Sequence, residues 1–174
     1  AEHGLLRTGE NHTAPVPIVV HNGRIWRAIE DAGGGDQWGV RYRAMMMSAP
    51  VDADLLKASN WTFSNYLSRD PAWLNGKFNA WLEGNAVVTP EGKVANVLRV
   101  DFNPQGGLAA IVRVSDDGKT ARFDPAHDIV AFPGGATKFT IRFDPTSGHY
   151  WTLSNFTPVF HRDYRASETR NTLA

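Results

Sequence analysis

Four carboxylates stand where acid–base chemistry could use them. Glu30 and Asp31 close the run Arg24-Ile25-Trp26-Arg27-Ala28-Ile29 and precede Gly33-Gly34-Gly35. Glu83 stands in Trp81-Leu82-Glu83-Gly84-Asn85, a charge between large apolar residues and a glycine. A carboxylate in such a place is either a satisfied structural acceptor or a group suited to general acid work. Asp101 follows Arg99 by two, so alternation along a strand puts both on one face, as an ordinary ion pair or as members of a site. His12, Asn85, Arg99 and Lys138 are candidate partners for substrate hydroxyls, and Trp81 and Trp151 are candidates to stack on a sugar face. Hydrolysis of a glycosidic bond usually needs two carboxylates, one to protonate the leaving oxygen and one to activate water or attack the anomeric carbon. Glu83, Glu30, Asp31 and Asp101 are therefore the catalytic candidates and a carbohydrate the expected ligand. Plainer readings stand beside these: a strand end in solvent for Glu30-Asp31, a structural His12, and tryptophans that pack the core.

Other chemistries find less support. The chain has no cysteine, which removes a thiol nucleophile, a disulfide scaffold and thiolate-bound zinc. The six histidines, at 3, 12, 21, 127, 149 and 161, show no metal spacing, so no metal and no cofactor is expected. Gly33-Gly34-Gly35-Asp36 lacks the lysine and hydroxyl of a phosphate loop. No Gly-x-Ser-x-Gly elbow is present. Lys plus Arg equals Asp plus Glu at 18 each, which argues against a generic nucleic-acid binder. No stretch approaches the 18 or so apolar residues of a membrane helix, and no membrane partner is expected.

The elements that must position these residues read as strands. Sixteen glycines and ten prolines punctuate nearly every run, and the best helical candidate is only Asp52 to Ala58. Strand content well above the usual 20–25% follows. Pro17 to His21, the turn Asn22-Gly23 and Arg24 to Ile29 make a hairpin, because both turn positions favour positive φ. Asn85 to Val88 and Lys93 to Val100 flank Pro90-Glu91-Gly92, and Phe139 to Phe143 and His149 to Leu153 flank Asp144 to Gly148. Further strands follow the first two hairpins: Val40 to Ser48 and Asn60 to Ser64, then Leu108 to Ser115 and Thr120 to Phe123. The unit of four antiparallel strands repeats, which predicts an all-β fold of β-propeller-type blades. The expectation is a single β domain over 1–174, with blades at about 15–64, 84–124 and 137–174 and an incomplete ring of about two and a half blades. The alternative is a β-sandwich of about ten strands.

Two short stretches carry a resemblance. Val114-Ser115-Asp116-Asp117-Gly118-Lys119-Thr120-Ala121 resembles the Asp box of sialidase-like propellers, with Asp116, Gly118 and Thr120 matching, Val114 where Ser is usual and Ala121 where Trp is usual. In that box an Asp caps the turn's amides and Gly takes the positive φ. The segment from Ala14 to Glu30 is similar to the first blade of sialidases, with Pro17 on the proline of its opening motif and Glu30 on its terminal glutamate. Pro15 stands in the place of the arginine that grips the sialic acid carboxylate, a bidentate contact that proline cannot make. The resemblance implies a glycoside hydrolase of sialidase-like fold without sialic acid specificity. Sialidases use a tyrosine nucleophile, and none of Tyr42, Tyr66, Tyr150 and Tyr164 is marked by its neighbours. Alternatives are a non-catalytic glycan- or protein-binding propeller module and a self-assembling propeller fragment. Asn171-Thr172-Leu173-Ala174 reads as the start of a third strand, so self-association or a complementary chain is expected to complete the ring. A secreted or periplasmic location is expected.

Overall fold

The computed structural model describes residues 4–102 and 107–156. The protein is all-β. The first sheet contains β1 (Asn11–His12), β2 (Ile18–His21), β3 (Arg24–Asp31), β4 (Arg43–Pro50) and β5 (Thr62–Phe63). β1 and β2 both lie antiparallel to β3, at its end and its start, so together they act as one broken edge strand of a four-stranded meander. The second sheet contains β6 (Phe78–Val88), β7 (Val94–Phe102), β8 (Leu108–Val114), β9 (Ala121–Arg122) and β10 (Ile129–Ala131). It runs β6-β7-β8, with β9 and β10 sharing the far edge of β8. A hairpin of β11 (Thr140–Asp144) and β12 (His149–Leu153) follows. These antiparallel sheets, two of four strand positions and one hairpin, are not closed into a barrel.

The turn chemistry explains the meanders. Asn22 and Gly23 take φ of 48° and 68°, the primed turn that matches strand twist. Gly92 and Gly148 close the next two hairpins at φ of 72° and 69°. No α-helix forms over Asp52 to Ala58. So short a segment cannot repay helix nucleation, and the Asp54 carboxylate instead accepts from the Leu56 amide at 3.0 Å, holding a turn. Among the described residues, helical geometry is limited to the 3-10 turn Ala58–Asn60 and one turn, Trp73–Gly76, in which Leu74 and Asn75 have positive φ.

The second sheet is the middle layer. On one face Phe78, Trp81, Leu98, Val100 and Val112 bury against Ala44 of β4, while Ala86, Val94 and Val114 meet Trp26 and Met46. On its other face Val97 and Ala109 pack with Phe139 beside the hairpin. Strict alternation sorts the methionines: Met46 faces the second sheet, and Met45 and Met47 face Trp61 and Phe63. Three asparagines fasten layer to layer. Asn96 donates to the Met45 carbonyl at 3.2 Å, and Asn65 brackets Ala121 through both ends of its side-chain amide. Asn85 donates to the Phe139 carbonyl and accepts from the Ile141 amide, as a strand neighbour would. The expected third strand at Asn171 to Ala174 lies outside the described residues.

Candidate active site

β1 and β3 pair in the register His12 opposite Glu30 and Asn11 opposite Asp31. Successive side chains leave a strand on opposite faces, so Glu30 and Asp31 serve different neighbours. Glu30 is buried and points at the second sheet: its Oε2 lies 2.8 Å from His12 Nδ1, and its Oε1 accepts the Gly84 amide at 3.3 Å. Asp31 meets its cross-strand partner Arg43, whose Nε donates at 2.7 Å, and Arg7, whose guanidinium donates at 2.9 Å; the Gly33 amide donates at 2.9 Å. Burial works against the Asp31 charge, but the amide and the two guanidiniums outweigh it and hold the carboxyl below its ordinary range. With that many donors on two oxygens, Asp31 braces the end of β3 and is not placed to react.

Glu83 owes its position to a break in register. Pairing of β6 with β7 shifts between Leu82 and Asn85. At that bulge Glu83 has φ of 54°, a left-handed conformation that is costly for a residue with a Cβ. The bulge turns the side chain to Arg99 on β7, whose Nη1 donates at 2.9 Å, and to Lys138, whose Nζ lies 3.4 Å from the other carboxylate oxygen. Gly84 follows, with no room for a side chain: a Cβ there would lie 1.8 Å from Asn96 Oδ1. One bulge thus presents the Glu83 carboxylate and gives its next amide to Glu30.

The site joins four strands of two sheets with the segment leading into the hairpin. His12, Glu30, Glu83, Arg99 and Lys138 gather there, with the His12 and Tyr42 rings 4.9 Å apart. The Glu30 hydrogen bond raises the His12 pKa above its ordinary value against the effect of burial; the Glu30 and Glu83 charges add to it, and Lys138 opposes it. His12 therefore feels the groups on both sheets.

Other sequence candidates fall elsewhere. Arg99 and Asp101 share the regular register of β7 but take different partners: Asp101 accepts from Asn79 at 2.7 Å, and Arg99 pairs with Glu83 rather than with Asp101. Asn85 is buried and spent on Phe139 and Ile141, which makes it a fastener rather than a ligand contact. Trp81 is 0% exposed among Trp73, Phe78 and Phe123, so no sugar can stack on it. Trp151 is 63% exposed, but it lines an apolar cavity of about 340 Å³ with Val87, Ile111, Phe132 and Tyr150, whose walls contain none of the carboxylates. Arg7, Arg43 and Tyr42 join these surroundings without a signal in the sequence. An arginine well downstream of Asp31 means nothing until strand register places Arg43 opposite it. Among the described residues no group of His, Asp and Glu has the arrangement of a metal site.

No family model matches the chain, and no curated protein matches it. Among solved structures it is similar to an alpha-L-arabinofuranosidase from Lactobacillus brevis, at 20% identity and a TM-score of 0.38, over 62% of this chain and 35% of that one. The chain thus spans about a third of that protein's length. A likeness this remote carries nothing about the roles of residues, which rest on the geometry of the site alone.

Proposed function

We propose that the protein is a glycoside hydrolase acting through Glu83 and the Glu30–His12 pair. The observation that carries this is Glu83 itself. A glutamate held at φ of 54° stores backbone strain, and such strain gathers at sites where side-chain placement matters more than stability. Here the strain sets a carboxylate between Arg99 and Lys138, and the next amide, of Gly84, donates to a second acidic residue from another sheet. Hydrolysis needs a proton for the leaving oxygen and a carboxylate facing the attacking water or the anomeric carbon. Glu83 fits the second role. Arg99 orients it, and Lys138, more than half exposed, is free to reach a sugar hydroxyl.

The substrate is a neutral glycoside rather than a sialoside, because Pro15, on the exposed approach to β2, offers no guanidinium. We also read the two sheets and hairpin as blades of a larger propeller, completed by self-association or by a further chain. A single species of 19.2 kDa that survives dilution in light scattering would contradict that part.

A panel of aryl glycosides tests the activity. Glu83→Gln and Glu30→Gln should each lower kcat/KM by about 10²- to 10⁴-fold with unchanged circular dichroism. Wild-type protein inert on the whole panel, or variants as fast as wild type, would overturn the reading, and release of sialic acid at a comparable rate would overturn the specificity.

A further inference from the structure

We propose that His12 is the group that transfers the proton in this site, with Glu30 a positioning residue behind it. The inference rests on the hydrolase reading and deepens it. The Glu30 side chain is 2% exposed, and both its oxygens are engaged, one with His12 Nδ1 and one with the Gly84 amide. It has no free oxygen to offer a substrate. The His12 side chain is 35% exposed, and is the member of the pair that reaches the surface. A carboxylate on Nδ1 keeps the proton there and leaves Nε2 to work, as acceptor when the ring is neutral and as donor when it is charged.

The surroundings favour the charged ring. Glu30 hydrogen-bonds it, Glu83 lies within electrostatic reach across from the second sheet, and the Tyr42 ring lies alongside; Lys138 and partial burial oppose. The net shift is upward, so His12 keeps its proton to higher pH than a free imidazole does. In the reaction Nε2–H gives its proton to the leaving oxygen as the bond from that oxygen to the anomeric carbon breaks. Water forms the new bond to the carbon and loses its proton to Glu83. Solvent then returns one proton to His12 and takes one from Glu83, and the atoms balance.

Leaving-group dependence separates this role from a structural one, because a good leaving group needs no proton. The full chain carrying His12→Gln should lose about 10²- to 10⁴-fold on alkyl or unactivated aryl glycosides, yet hydrolyse dinitrophenyl glycosides at close to the wild-type rate. His12→Asn should behave alike. Glu30→Gln should move the limb of the pH–rate profile assigned to the acid toward lower pH, and nuclear magnetic resonance should show the His12 titration moving the same way. A loss equal for all leaving groups, or no loss, overturns the role of His12 and leaves the hydrolase standing. Wild-type protein inert on every glycoside overturns the hydrolase and this inference together.

Discussion

At the scale of residues, Glu83 and Gly84 show why the sequence Trp81-Leu82-Glu83-Gly84-Asn85 is built as it is. Gly84 lies against Asn96, so a methyl group there must displace a buried side chain that holds the Met45 carbonyl. Gly84→Ala should lower the unfolding free energy by about 2–3 kcal/mol, within the range for overpacking, and urea titration reads it; an unchanged midpoint would show that the bulge yields freely. Asp31 adds a prediction with a sign. Its folded-state pKa lies below the ordinary 3.8, held there against burial by Gly33, Arg43 and Arg7. Its contribution is therefore complete above about pH 4 and is lost as pH falls through the folded value. Asp31→Asn should cost about 2–3 kcal/mol at neutral pH, and progressively less as the pH falls below the ordinary 3.8. An equal cost in acid and at neutrality would contradict the ion pairs. His12 runs the other way. Its pKa is raised, so its pairing with Glu30 stabilises fully below pH 6.5 and fades as pH rises through the folded value.

At the scale of elements, the turn between β8 and β9 corrects a detail. The sequence resemblance assigns its cap to Asp116. In the structure Asp117 accepts from the Lys119 amide at 3.0 Å and from the Ser115 hydroxyl at 2.5 Å, while Asp116 reaches out to Lys93 across an exposed ion pair. Gly118 at φ of 74° tucks the turn under Trp26 and Ser48 of the first sheet. Asp117→Ala should therefore lower Tm and Asp116→Ala should leave it in place, since exposed pairs contribute little; the reverse order would restore the first assignment. The hairpin turns are legible in the sequence because Asn-Gly and Gly at fixed offsets demand one backbone conformation. The start of β6 is not. A glycine inside a strand reads as a boundary, so the pattern starts the strand at Asn85, whereas it begins at Phe78 and runs through the bulge. Alternation along β7 keeps Arg99 and Asp101 on one face, but the bulge in β6 brings Glu83 to Arg99, a partner that spacing within β7 does not show. Nor does alternation along a strand tell a buried Trp81 from an exposed platform, since either face can be covered by another sheet.

At the scale of the molecule, the site exists only when the layers are assembled. Glu30 and His12 come from the first sheet, Glu83 and Arg99 from the second, and Lys138 from the segment that Asn85 pins beside it. Sequence pattern marks the polar residues that are out of keeping with their strands, but the partner each takes depends on packing between sheets, which local pattern does not encode. The central claim is that acid–base groups of two sheets, Glu30 through His12 and Glu83, serve one substrate. A double-mutant cycle in kcat/KM on an unactivated aryl glycoside tests it most directly, with Glu30→Gln, Glu83→Gln and the double variant all folded by circular dichroism. Groups that act as a unit are grossly non-additive. The double variant should be slower than the slower single variant by no more than about threefold, a coupling larger than that of distant sites. Losses that multiply in full would show that Glu30 and Glu83 act independently, and the site as drawn would be wrong.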